Sequence, residues 1–218
     1  MFRIVTIERE FGSGGGAIAA QLADRLGWRV WDQALTDEIA KLANVDCATV
    51  ERCDERVDSR LHRLAKTFWR GSQERRIPLD DSQIFDADCM VSMVEQIMQR
   101  IAGEGQAVVV GRGAPFFLRE RADTFHVFLY GSRREKIRRL LEAGREQSEA
   151  EELVETVDRE RIAYVKHYFG ADWPTRSLYH LMLNTEMGNE NVIATICNAM
   201  RLLEQRIEVK ESKLRGVL

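Results

Sequence analysis

Apolar positions along the chain fall into short unbroken runs and into longer stretches spaced three or four apart. Residues 2–7 alternate or run apolar and predict a first strand, and residues 28–31 read as a short second strand ending at Asp32. Between them stands a glycine loop, Gly12-Ser13-Gly14-Gly15-Gly16, followed by apolar residues at 18, 19, 22, 23 and 26. That spacing is one face of a helix, and Gly27 is a fitting C-terminal stop. Strand, loop, helix, strand is a βαβ unit, which predicts a parallel sheet.

Further along, Val57, Leu61, Leu64, Ala65 and Phe68 mark one face of a helix over 54–69, and 70–84 reads as a loop. A helix over 85–102 ends at Gly103 and Gly105. Two runs without alternation, Ala107-Val108-Val109-Val110 and residues 124–130, predict strands buried on both faces. A basic helix starts after Ser132, an acidic one runs from about 148 to 169, and Gly170 to Pro174 is a break. Residues 179–184 read as the last strand. Val192, Ile193, Ile196, Met200, Leu203 and Ile207 give an amphipathic helix over 189–209. The pattern predicts one α/β domain over 1–218 with helical insertions at 33–102 and 140–175.

Composition narrows the class. Apolar residues make up 44% and charged residues 31% of 218, which excludes a disordered, collagen-like or membrane-embedded chain. With 32 basic against 35 acidic residues, no field of one sign draws nucleic acid or a membrane surface. No apolar run is long enough to span a bilayer. Cys47, Cys53, Cys89 and Cys197 match no zinc spacing and no C-x-x-C pair, so they read as reduced thiols of a cytoplasmic protein. The four histidines (62, 126, 167, 180) have no partner at metal or triad spacing, and His126, within a buried strand, reads as a satisfied core residue.

The glycine loop carries the candidate chemistry. Glycines let backbone N–H groups approach an anion, and a helix N-terminus adds about half a positive charge. The P-loop pattern G-x-x-x-x-G-K-[ST] is not met: with Gly14 as its second glycine, Arg9 holds the first glycine position and Gly15 the lysine. Ala17 stands where a hydroxyl would help hold magnesium. The dinucleotide pattern G-x-G-x-x-G/A is met by Gly12, Gly14 and Ala17, with Asp32 closing the second strand. Against it, three residues, Arg9-Glu10-Phe11, separate strand from glycine. A bare strand–helix turn is the third reading.

Taken whole, Val5-Thr6-Ile7-Glu8-Arg9-Glu10-Phe11-Gly12-Ser13-Gly14-Gly15-Gly16 resembles the cytidylate-kinase-like family. So do Trp31-Asp32-Gln33-Ala34-Leu35, Val108-Val109-Val110-Gly111-Arg112-Gly113-Ala114, and Val157-Asp158-Arg159-Glu160-Arg161 with Tyr164, Lys166, Tyr168, Gly170, Asp172-Trp173 and Asn184-Thr185. The resemblance implies a P-loop kinase-type parallel β-sheet flanked by helices, with an acceptor-binding insertion and an arginine-bearing lid. The implied reaction moves the γ-phosphoryl of ATP to CMP or dCMP, with Mg2+ held mainly by phosphates and water and no metal ligand set of the protein's own.

On that plan Gly12, Ser13, Gly14, Gly15 and Gly16 cradle the donor phosphates, and Arg9 supplies the missing cation. The alternative for Arg9 is a surface pair with Glu8 or Glu10. Arg159 and Arg161 are the paired lid arginines, the catalytic candidates. Asp32, Arg112 and Lys166 are the acceptor candidates. The basic run over 133–139 reads mostly as a solvated face, and the resemblance implies that a share of it lines the phosphate channel. Two other functions stay open: a nucleotide-binding regulator without catalysis, and a dinucleotide-dependent oxidoreductase. The partners implied are small nucleotides, and the C-terminal helix either packs on the sheet or mediates a homodimer.

Overall fold

β1 (Ile4–Arg9) is buried along its whole length in the computed structural model, which describes residues 1–32, 34, 35, 38 and 87–215. The expected helix over 54–69 and loop over 70–84 lie outside the described residues. β1 is the centre of a five-stranded sheet with β2 (Arg29–Trp31), β3 (Ala107–Val110), β4 (Thr124–Tyr130) and β5 (Leu181–Asn184). The strand order is β2-β3-β1-β4-β5, and every pairing is parallel. All carboxyl ends therefore open on one rim, and the chain leaves β1 toward one side and returns on the other. That reversal is where parallel sheets form a ligand crevice.

Helices cover both faces. α1 (Gly15–Leu26) ends at Gly27, whose φ of 67° gives the left-handed cap that stops it. Ile18, Ala19, Leu22 and Ala23 of α1 pack on Val5, Ile7, Val108, Val110 and Val127. Val192, Ile193, Ile196 and Met200 of the last helix, here α6 (Asn189–Arg215), join the same layer. The opposite face is covered by α2 (Ala87–Glu104), α3 (Ala114–Phe117) and the end of α5 (Gln147–Phe169), through Val94, Ile97, Ile101, Phe116, Tyr164 and Val165. A third apolar cluster joins α4 (Arg133–Glu142) and α5 to the glycine loop: Ile137, Leu140, Ala150, Val154 and Val157 close around Phe11. The helix pair is thus anchored on the loop by buried surface, not by charge alone. The last strand is shorter than the run suggests, because Arg176–Leu178 coils into a single 3-10 turn first.

His126 sits within β4 and is almost wholly buried. Its Nδ1 lies 2.7 Å from Thr6 Oγ1, and its peptide N–H donates to His180 Nδ1 at 2.9 Å. Burial, and then the charge of His180, pushes the His126 ring down to about 4. Burial lowers His180 as well. The folded value lies below the ordinary one near 6.5, so the unfolded chain binds more protons between them. The contribution is fully present above pH 6.5 and is lost as the pH falls toward 4. At about 1.4 kcal/mol per unit it amounts to about 3 kcal/mol. Urea midpoints should therefore fall steeply from pH 6.5 to 4.5, and the slope should flatten in His126→Gln. An equal slope in that variant would assign the acid sensitivity elsewhere.

Candidate active site

The loop leaving β1 is built to present backbone. Ser13 Oγ turns back to donate to the Glu10 carbonyl at 2.8 Å, which fixes the loop rather than reaching outward. Gly14 is the N-cap of α1 at φ 78°, with no side-chain cap. A left-handed residue at that point favours glycine, and it aims the first N–H groups of a twelve-residue helix at the rim. Gly15 lies buried under the loop, and Gly16 is half-buried. Gly12 to Gly16 thus present backbone at the rim, in the kind of glycine-rich turn where N–H groups can gather around an anion.

Arg9 is only 5% exposed. That overturns the surface pair with Glu8 or Glu10: the side chain runs under the loop instead. A Cβ at Gly15 would lie 2.8 Å from Arg9 Cγ, and a Cβ at Gly111 would clash with the Arg9 guanidinium. Arg9 therefore bridges the base of the glycine loop and the turn that follows β3. That turn, Gly111-Arg112-Gly113, has three consecutive positive φ angles of 67°, 62° and 69°. Arg112 is the one non-glycine among them and is 6% exposed.

Arg161 projects from α5 toward the same rim. Its NH1 donates to the Arg9 carbonyl at 2.8 Å and to Asp158 Oδ1 at 2.9 Å. The three guanidiniums lie within each other's fields. Burial pushes Arg9 down to about 10, with the charge of Arg161 next, against the favourable pull of Asp32, Glu8 and Asp158. Burial likewise pushes Arg112 down to about 10, opposed most by Asp32 and reinforced by Arg9 and Arg161. Asp32, half-buried at the end of β2, is the carboxylate that both Arg9 and Arg112 feel.

Other candidates stand apart. Arg159 is exposed on the outer side of α5. Lys166 is exposed too, and its Nζ pairs with Asp172 at 3.2 Å. The structure therefore brings Arg9, Asp32, Arg112 and Arg161 to one rim, and not Arg159 or Lys166.

The basic run over 133–139 is not uniformly a solvated face. Arg133 and Arg138 are exposed, but Lys136 and Arg139 turn inward, because α4 docks on the loop through Ile137 and Leu140. Lys136 Nζ donates to Glu10 at 3.0 Å and to Asp158 at 3.4 Å. Its backbone carbonyl would lie 3.1 Å from a Cβ on Gly12. Arg139 donates to the Ser13 carbonyl and, at 2.9 Å, to Thr185 Oγ1. Asp158 completes the tie by accepting the Phe11 N–H at 2.9 Å. The sequence alone assigns Lys136 and Arg139 of the basic run, and Asp158 and Thr185 of the family blocks, no individual role at the site. One signal was available for one of them: Asp158 lies three residues before Arg161, the spacing of a helical ion pair.

Among the described residues no three His, Cys, Asp or Glu side chains gather closely enough to hold a metal ion. Magnesium commonly needs only one or two carboxylates beside phosphate oxygens and water, and half-buried Asp32 at the rim fits that modest demand. No described helix is long and apolar enough to cross a membrane.

A family model, that of the cytidylate kinase-like family, matches residues 4–187. Among solved structures, an uncharacterized protein from Eubacterium ventriosum is 22% identical with a TM-score of 0.61, covering 91% of this chain and 99% of its own. A gluconokinase from Sinorhizobium meliloti is 16% identical with a TM-score of 0.54, covering 95% and 96%. A sugar kinase from Janibacter is 17% identical with a TM-score of 0.50, covering 92% and 95%. At these identities the likeness is one of fold, the P-loop kinase type. No curated protein matches the chain.

Proposed function

The chain belongs to the cytidylate kinase-like family, and we propose on that premise that it transfers the γ-phosphoryl group of ATP to a nucleoside monophosphate of the CMP or dCMP type. One observation carries the reading: Arg9, Arg112 and Arg161 come from three separate segments and converge beside an uncapped helix N-terminus. Burying like charges together costs free energy, and a polyanion in their midst offsets it.

In this reading residues 33–102 form the acceptor insertion and residues 140–175 the lid. The N–H groups from Gly12 to Gly16 bind the donor phosphates, and Arg9 replaces the lysine that Gly15 lacks. Arg112 and Asp32 face the acceptor: the guanidinium for its phosphate, the carboxylate for its sugar or base. Arg161 comes down from α5 onto the oxygens of the group in flight, where charge accumulates as the leaving bond breaks. Lys136 and Asp158 hold that arginine and the loop in one frame. Alternatively Asp32 would hold, through water, the magnesium ion that would screen the phosphate charges. Phe11 and the helix pair exclude water from the loop side.

The test is ADP release from ATP and magnesium with CMP, dCMP, UMP or AMP, alongside thermal shifts. A ligand at 100 times its Kd should raise stability by about 2.7 kcal/mol. ADP formed only with a pyrimidine monophosphate is the expected result. A shift by ATP without ADP would favour a nucleotide-binding protein without catalysis, the reading suggested by glycine at position 15. A shift by NAD alone would overturn both.

A further inference from the structure

Glu8 is a carboxylate at the carboxyl end of the central strand, and it is only 4% exposed. An ionised group so deep is costly unless its lone pairs are used. Here each oxygen accepts one bond from a distant segment. Oε1 accepts the Gly113 backbone N–H at 3.3 Å, across 105 residues of sequence. Oε2 accepts the Trp173 indole N–H at 3.3 Å, across 165 residues. An apolar side chain would complete this face of the sheet at lower cost, but it would tie neither segment.

Both segments lead to arginines of the site. Gly113 closes the turn on which Arg112 stands at φ 62°. A left-handed non-glycine residue costs about 1–2 kcal/mol and persists only where its surroundings impose it. Gly111 N–H donates to the Ile7 carbonyl at 2.9 Å, and Ala114 N–H donates to the Gly111 carbonyl at 3.1 Å. The Phe169 ring walls Gly113, where an added Cβ would lie 2.8 Å from Cε2. Glu8 adds a buried side-chain fastening at the end of the turn. Trp173 lies just past Gly170, the left-handed cap of α5, and packs edge-on against Phe128 at 5.2 Å. α5 is the helix that carries Arg161.

We propose that Glu8 is a positioning residue that fastens the Arg112 turn to the segment closing the lid helix, and so sets the Arg112 guanidinium toward the acceptor phosphate. The proposal rests on the kinase reading for its phosphate, and on the two hydrogen bonds for its geometry. Glu8 acts through Arg112 and does not touch the reacting atoms.

Glu8→Gln tests it, because the amide keeps the size but can accept only one of the two bonds well. The acceptor KM should rise about tenfold, the worth of one hydrogen bond to a charged group, while the KM for ATP stays within about twofold. In an Arg112→Ala background the same change should alter the acceptor KM less than about twofold. Equal rises for both substrates, or an undiminished effect in that background, would overturn the proposal. A second reading needs no turnover: the Arg112 Nε–H and Trp173 indole resonances should both move in Glu8→Gln, and unmoved Arg112 would sink the proposal. If the wild-type protein phosphorylates no monophosphate while Arg112 Nε–H moves, the kinase reading fails and the fastening stands.

Discussion

Arg161→Ala should lower kcat about 10³-fold or more, with the KM for ATP changed little. Arginines that meet the transferring phosphoryl group are worth roughly 10³–10⁵ in rate. In the proposed reaction Arg161 takes this part, since its side chain is 12% exposed and reaches the backbone of Arg9. Arg159, on the outer side of the same helix, serves as the control, and its alanine variant should stay within about twofold of wild type. Arg161→Lys keeps the charge but not the planar fork, so it should recover only part of the loss. The alanine variant also leaves Asp158 with one donor fewer, so folding must be followed by thermal unfolding. A full Tm with turnover within about threefold of wild type would remove Arg161 from the mechanism.

Gly15→Lys restores the lysine of the P-loop pattern, and it should damage the protein rather than improve it. Position 15 opens α1, where replacing glycine gains up to about 1 kcal/mol in helix propensity. The new Cβ, however, would lie 2.8 Å from Arg9 Cγ and 2.9 Å from Arg9 Cβ. Those atoms belong to the stem of a buried side chain and cannot swing aside. Overpacking of this kind typically costs about 1–3 kcal/mol, so the clash wins. At about 2–4 °C per kcal/mol for a chain of this size, the Tm should fall by roughly 5 °C. ADP formation should fall with it, since Arg9 is displaced from the loop. Adding Arg9→Gly should return much of the Tm, because the lysine stem then has the space that Arg9 vacated. A single variant with wild-type Tm and activity would show that Arg9 is not the occupant of the lysine's place.

The inward turn of Arg161 and the outward turn of Arg159 illustrate how far a sequence reaches. Two residues apart on a helix lie about 200° around the axis, so Arg159 and Arg161 cannot both face the rim of a straight helix. That much is local arithmetic. Which one faces in depends on how α5 docks, and docking is decided by Val154 and Val157 closing on Phe11. The same holds for the run over 133–139. Ile137 and Leu140 place one side of α4 against the loop, so Lys136 and Arg139 become structural ties while Arg133 and Arg138 stay in water.

The element order, the parallel sheet and the glycine loop were legible because they are written in local signals: unalternated apolar runs, a helical spacing, a cluster of glycines. The last strand begins two residues later than its apolar run (181 rather than 179), because the 3-10 turn before it leaves no periodic mark. Nothing local marked Glu8 as a fastening, since its partners Gly113 and Trp173 are distant in the chain and meet it only in the folded sheet. The sequence alone determined which segments become strands and helices, and that a backbone cradle follows the first strand. Only the tertiary structure decided which charges share the rim, because side-chain direction on a helix or at a strand end is settled by what the element packs against.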